Sequence, residues 1–435
     1  MSVLGDATLD RDRAAYADRL SWLYGLESRG MRFELDRMRA ALAERGDPQR
    51  GMPVVHVAGT NGKGSVCALV ERALREAGLR TGLFTSPHLS RYAERVRLDG
   101  EPLSDARVVH WLDRLRADAS LPRLTFFEYT VLMALEAFRE AAPDVVVIEV
   151  GLGGRLDATN LVQPRVTAIT SIAKDHTRIL GESLSQIATE KAGILKAGVP
   201  LVLGVREAEI ASTIRRRAAS LSVPVWQLGE ELELDTSAAG LALRAQDHAI
   251  SELHLGLPGE HQWANAAVAF GILARLREQG HAISDDAIRR GFARARWPGR
   301  LEHCPGQPAH LFDCAHNPAG ARALGAHLAS MPRVGRRVLV FGALGDKDHE
   351  GLLAPLDARV DARVYVAPDV QRAVPAESFQ RVRPGVVARG VGEALERAAE
   401  LAGSDGLVVV AGSIFLVAAA RAIVLDLPTD PPIAM

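Results

Sequence analysis

The chain of 435 residues is short of cysteine, of aromatic residues and of net charge. Each shortage excludes something. The three cysteines, Cys67, Cys304 and Cys314, cannot all pair and lack metal-ligand spacing, so a reducing compartment is expected rather than a disulfide framework. A formal net charge of −1 gives no global attraction to nucleic acid or to an anionic membrane, and neither is expected as a partner. Aromatic residues supply 5% of the chain, yet 48% hydrophobic and 24% charged residues still describe an ordinary globular enzyme. The opening stretch, MSVLGDATLDRDRAAY, carries charges where a signal peptide needs an apolar run, so the expected location is the cytoplasm. One long apolar stretch, Gly406–Leu425, approaches membrane-spanning length. Gly412-Ser413 divides it into a strand-like and a helix-like half, and Arg421 charges the second, so a buried strand and a packed helix are the better reading. Repeats and low-complexity tracts are absent.

What is present is an alternation of short apolar runs with helical patterns, the signature of parallel-sheet α/β architecture. VVHVA (54–58), TGLFT (81–85), DVVVIEV (144–150), VTAITSI (166–172) and PLVLG (200–204) read as strands. Thr125 and Glu128, three apart before an apolar run, form a capping box and predict a helix start. Short alternating pieces over 232–257 predict antiparallel strands decorating the main sheet, followed by a helix from about Gln262 to Gln279. Pro and Gly cluster in ARWPGRLEHCPGQP (295–308), after which the βα rhythm restarts. The expected fold is α/β in two units. With a glycine-rich, lysine-bearing loop at 59–65 between its first strand and the next helix, a P-loop-type ATPase domain with a mostly parallel sheet is expected over 1–296, a linker over 297–301, and a smaller Rossmann-like α/β domain over 302–435.

The stretch Gly59-Thr60-Asn61-Gly62-Lys63-Gly64-Ser65 lies between a predicted strand and a predicted helix. A standard phosphate loop would have Gly at 57 and Ser or Thr at 64, where this chain has Val57 and Gly64. Glycines there let successive amides point inward, and the helix start adds its positive dipole end. Lys63 would reach terminal phosphates, and the hydroxyl of Ser65 or Thr60 would meet a magnesium ion. The alternative is a glycine-rich turn with an exposed lysine. Glu149 sits in an aliphatic run before a Gly-rich loop at a strand's carboxyl end, where α/β sheets bind ligands and a carboxylate can hold Mg²⁺. A neutral Glu or a structural ion pair is the other reading. Ser86 and His176 also follow strand ends, although Mg²⁺ prefers oxygen, which leaves His176 the least secure of the three. In HLFDCAHNPAG, Asp313 could bond ribose, Asn317 could be a helix cap, and capping accounts for neither Asp313 nor His316. Arg300 is either a solvated hinge residue or a phosphate contact.

Taken together these motifs closely resemble the folylpolyglutamate synthase and dihydrofolate synthase family of the Mur ligase superfamily. They are HVAGTNGKGS, FTSPHL with ERVRLDG, TFFE, IEVGLGGRLDATN, DHTRILG, IATEKAGI, GEHQWANAAVA, WPGRLE, DCAHNP and GSIFLVA, in family order from about residue 20 to 420. One departure is Ala93, where the family carries Asn. The resemblance implies an ADP-forming ligase. ATP would phosphorylate the carboxylate of dihydropteroate or a folate, and L-glutamate would displace the phosphate. It implies that Gly59, Thr60, Asn61, Gly62, Lys63, Gly64 and Ser65 bind the triphosphate, with Asn265 near adenine and Arg300 and Asp313 on the nucleotide. Ser86, Glu149, His176 and Ser65 would serve Mg²⁺, and Lys191, carbamylated in this family, would help position it. His316 would face the catalytic cleft beside Lys63, Lys191 and Arg300. Thr125, Phe127 and Asp157 would lie near the pterin, although a Phe at a helix start is also simply core. A monomer is expected. The alternatives are a monofunctional synthase of either kind, a ligase of cell-wall precursors, and a nucleotide switch without ligase chemistry.

Overall fold

The structure is a computed structural model that describes residues 3–26 and 34–430, with side chains from Arg13 onward. Eight strands form the first sheet: β1 (Val54–Ala58), β2 (Thr81–Phe84), β3 (Val96–Leu98), β4 (Glu101–Pro102), β5 (Val145–Glu149), β6 (Pro164–Ile169), β7 (Leu201–Leu203) and β8 (Val225–Gln227). Their order is β4-β3-β2-β5-β1-β6-β7-β8, parallel except at the β2–β3 and β3–β4 pairs. Every residue of β1 and β5 is buried. That burial explains their near-continuous apolar runs, interrupted only by His56 and Glu149, because helices cover both faces of a parallel sheet. The carboxyl ends of β1, β2, β5 and β6 are neighbours along one edge, which gathers the loops after Ala58, Phe84, Glu149 and Ile169.

The strands expected over 232–257 form a sheet of their own. β9 (Leu232–Ser237), β10 (Gly240–Ala245) and β11 (His248–Leu253) are antiparallel, in the order β11-β10-β9, and a single parallel bridge, Leu228 to Leu232, links them to the end of β8. Only one face of this sheet is apolar: Leu241, Leu243 and Ala245 are buried while their neighbours are not. It therefore covers the helix His261–Glu278 instead of extending the main sheet, and that helix lies between Val202 of one sheet and Leu232 of the other.

The C-terminal unit is a six-stranded sheet of β12 (Glu302–Cys304), β13 (Ala309–Phe312), β14 (Arg337–Phe341), β15 (Ala362–Tyr365), β16 (Val386–Val387) and β17 (Leu407–Ala411), in the order β12-β13-β17-β14-β15-β16. β12 is antiparallel and the rest parallel. β12 falls inside the Pro/Gly cluster and was not expected as a strand. The apolar stretch at 406–425 divides as expected into β17 and the helix Ile414–Leu425, which Ser413 caps through the Phe415 amide. Arg421 on that helix pairs with Glu302 at 2.8 Å. Among the described residues no helix is long and apolar enough to cross a membrane.

Phe270 is fully buried in the helix between the two sheets. Phe270→Ala is expected to lower unfolding free energy in a denaturant titration by about 3–5 kcal/mol. Val334→Ala, at a 67% exposed position, should change it by less than about 0.5 kcal/mol.

Candidate active site

β1 ends at Ala58, and Gly59–Gly62 turn the chain into the helix Lys63–Glu76. Gly62 lies at φ 89°, where a Cβ is strained, and that Cβ would also collide with the Asn265 side chain. A Cβ at Gly64 would come within 2.7 Å of Trp297 Nε1. The linker tryptophan thus occupies the space that Ser or Thr would need, which gives the irregular motif a packing reason. The amides of Thr60 and Asn61 donate to Ser171, and Thr60 Oγ1 exchanges hydrogen bonds with the Ala173 backbone. The Thr60 hydroxyl offered by the sequence as a cation ligand is therefore spent on the loop after β6. The amides left free of partners within the helix are those at its start, the kind of group that can meet an anion.

An open cleft lies over this loop, and nine of the expected side chains line it: Thr60, Asn61, Lys63, Ser86, Glu149, His176, Lys191, Arg300 and His316. Lys63 Nζ donates to the Gly59 and Thr60 carbonyls at 3.2 and 3.3 Å and lies 4.0 Å from Glu149 Oε1. The Glu149 carboxyl is buried and accepts the Ser86 amide at 3.1 Å. Burial pushes its pKa up, and the Lys63 charge only partly offsets that. A cation beside it would relieve the strain. His176, in a left-handed turn, has its pKa lowered to about 4 by burial, against the pull of Asp175, so at neutral pH it is the uncharged form that can ligate. Among the described residues no three His, Cys, Asp or Glu side chains cluster tightly enough to cage a metal. Ser86, Glu149 and His176 on one cleft wall nevertheless fit an ion that takes its remaining oxygens from phosphate and water, as Mg²⁺ does.

Lys191 is buried and donates to the Gly59 carbonyl at 2.9 Å. Burial first, then the nearby Lys63 charge, lower its pKa to about 7. An amine so placed is a nucleophile near neutrality.

The C-terminal unit closes the cleft. His316 Nδ1 faces the Cys314 carbonyl at 2.8 Å and its Nε2 faces Asp175 Oδ2 at 3.2 Å. Asn317 caps the helix Pro318–Ser330, as expected, and also pairs reciprocally with Asn61 at 2.9 and 3.2 Å. Lys347 Nζ donates to Asp175 Oδ1 at 2.6 Å. Burial would raise the Asp175 pKa, but the His316 hydrogen bond and the charges of His316, His176 and Lys347 hold it well below the carboxylate range. Asp175 and Lys347 were not singled out by sequence. A signal existed: among 52 basic residues only five are lysines, 63, 174, 191, 196 and 347, and three of these touch the site. Where arginine serves elsewhere, a compact and titratable ammonium marks a special position.

The other expected residues lie around the cleft. Ser65 is buried in the first helical turn, and Asn265 stands behind Gly62 with its amide on Gln262 at 2.8 Å. Both Asp313 oxygens accept backbone amides, from Leu301 and Ala315 at 2.9 Å, so this carboxylate ties the linker to the His316 loop. Thr125 and Glu128 form the expected capping box. The Phe127 ring stands against Gly151 and 6.1 Å from Phe84, which puts an aromatic face beside the loop after β5. Asp157 is buried and accepts from Leu152 and Thr159, shaping the same loop.

Two family descriptions match the chain: the Mur ligase middle domain over residues 57–273 and the Mur ligase, glutamate ligase domain over 299–414. The dihydrofolate synthase/folylpolyglutamate synthase of Escherichia coli is 38% identical over 404 residues, 92% of this chain and 94% of that protein. The E. coli FolC structure in complex with DHPP and ADP superposes with a TM-score of 0.86 at 37% identity, over 94% of this chain and 98% of that one. The bifunctional folylpolyglutamate synthase/dihydrofolate synthase of Yersinia pestis complexed with AMPPNP and Mn ion gives 0.85 at 37% identity, over 95% and 98%.

The lysine scarcity makes the Lys191 pKa measurable. Amine acylation followed by mass spectrometry should show Lys191 titrating near pH 7. Because the folded pKa is depressed, burying this amine costs stability that is full below about pH 7 and is relieved as pH rises toward the unfolded lysine value. Lys191→Met should remove that slope from the pH–stability curve.

Proposed function

The chain belongs to the dihydrofolate synthase/folylpolyglutamate synthase family of Mur ligases, and from that premise we propose that it joins L-glutamate to dihydropteroate and to (tetrahydro)folate glutamates with conversion of ATP to ADP and phosphate. The observation that carries this reading is the single cleft in which a phosphate loop, a buried carboxylate and the C-terminal His316 meet. The ligands named with its relatives, ADP, an ATP analogue with manganese, and DHPP, are the classes of molecule such a cleft must take. The reading divides the chain into a nucleotide- and folate-binding unit, 1–296, and a glutamate-ligase unit, 302–435, joined by 297–301.

In the first step a carboxylate oxygen of the folate attacks the γ-phosphorus, the bond to the β-phosphate oxygen breaks, and ADP leaves. In the second the glutamate nitrogen attacks the acyl carbon, phosphate departs and the amine loses a proton. The helix-start amides and Lys63 hold the triphosphate, and Arg300 meets the charge that develops on transfer. Ser86, Glu149 and His176 hold Mg²⁺, which when bound neutralises phosphate charge. Lys191, whose pKa near 7 leaves a share of free amine at neutral pH, is placed to add CO₂ with loss of a proton, and the resulting carbamate would be an anionic oxygen donor beside the phosphate loop. Phe127, against Gly151, offers a face for a pterin, with Thr125 and Asp157 fixing the backbone around it. His316 and the C-terminal wall keep water from the acyl phosphate while the amine is brought up.

Two measurements test this. ADP release should require dihydropteroate or tetrahydrofolate together with L-glutamate; release with a muramyl precursor alone would overturn the folate assignment, and release without any acceptor would favour a switch. Lys63→Ala and Glu149→Gln should each lower turnover at least ~100-fold with an unchanged circular dichroism spectrum. For Lys191, a carbamate mass on the native protein and partial rescue of Lys191→Ala by short carboxylates are expected; absence of both would remove the carbamate from the mechanism.

A further inference from the structure

A carboxylate at the far end of the chain grips the loop that carries Ser86. Beyond the helix Ile414–Leu425 the chain returns from the C-terminal unit to the N-terminal one, where the Asp430 side chain is 5% exposed. Asp430 Oδ2 accepts the Tyr92 amide at 2.6 Å and the Tyr16 hydroxyl at 2.8 Å, and Oδ1 accepts Arg91 Nε at 3.3 Å. The Asp430 amide in turn donates to the Ser90 carbonyl at 3.1 Å. Arg91 is fixed on its other side by a two-point contact with Asp105 at 2.8 and 2.9 Å.

The gripped loop is closed on itself. The amides of Leu89, Ser90 and Arg91 all donate to the Glu94 carboxylate, at 3.0, 3.1 and 2.8 Å. At its start the Ser86 amide is bonded to Glu149. From the opposite side Leu89 packs against the C-terminal core. A loop so braced moves as one piece, and what holds residues 90–92 also sets where Ser86 sits.

We infer that Asp430 is a positioning residue: the segment that carries it is a clasp that transmits the seating of the C-terminal unit to the cation side of the cleft. Its consequence for the metal rests on the reading of Ser86 given under Proposed function; the clasp itself does not. Hydrogen–deuterium exchange of the full-length, ligand-free protein tests it. Asp430→Ala is expected to speed exchange of residues 89–92 about tenfold while β1 and β5 change by less than about twofold. Asp430→Asn, which keeps the neutral contacts, should fall between. In turnover assays the Mg²⁺ concentration for half-maximal rate should rise roughly 3- to 10-fold with kcat held within about twofold, a split that general destabilisation does not produce. Tyr16→Phe, which deletes one hydroxyl, serves if Asp430→Ala does not fold and should shift both readouts in the same direction. Unchanged exchange at 89–92, equal acceleration in loop and strands, or an unchanged Mg²⁺ requirement would each overturn the inference. If the protein shows no ligase activity at all, the exchange data still judge the clasp separately from the function.

Discussion

A single buried carboxylate, Asp175, receives Lys347, His316 and Asn317 from the C-terminal unit while standing beside His176 of the N-terminal one. The cleft exists because these two surfaces meet there. A buried ion pair is weak evidence for stability, since desolvation consumes most of the attraction, yet stripping one partner from such a pair costs roughly 3–5 kcal/mol because the remaining charge is left unmatched. The Asp175 contacts therefore act as a register device. The observed seating of the C-terminal unit satisfies the lysine, the imidazole and the amide together, and it also pairs Asn317 with Asn61 of the phosphate loop.

Around this contact the cleft holds charges at opposite settings. Burial pushes the Glu149 carboxyl up and the Lys191 amine down, so both are biased toward their neutral forms. A divalent cation and a polyanionic nucleotide bring the charges that such a site lacks. Asp175 lies at the other setting, firmly ionised beside Lys347 and the His316 imidazole. The contrast separates groups that await a ligand from one that holds the two halves of the cleft together. It also explains why lysine survives at these positions in a chain that otherwise relies on arginine, whose guanidinium cannot give up its proton.

Much of the framework was legible because it is written in neighbours. The capping box of Thr125 and Glu128, the mostly apolar runs of β1 and β5, and the break at Gly412-Ser413 each follow from residues within one turn or one strand. The errors follow the same logic. The three residues of β12 were hidden by surrounding Pro and Gly, because their pairing partner, β13, supplies the order that their own pattern lacks. The antiparallel sheet was recognised without the surface it covers, since alternation says that one face is apolar and not what lies against it.

The sequence by itself determined the α/β class, the phosphate loop and the residue types that converge on it, because short-range periodicity and glycine chemistry specify local backbone. Its resemblance to a ligase family added the probable company of each motif. Only the tertiary structure decided that Gly64 must lack a side chain to admit Trp297, that both Asp313 oxygens hold backbone, and that Asp175 meets Lys347 across 172 residues. Tyr16 and Asp430 stand 414 residues apart. No local pattern can encode such a contact, because chain separation is irrelevant to a hydrogen bond once packing has brought donor and acceptor within 3 Å of each other.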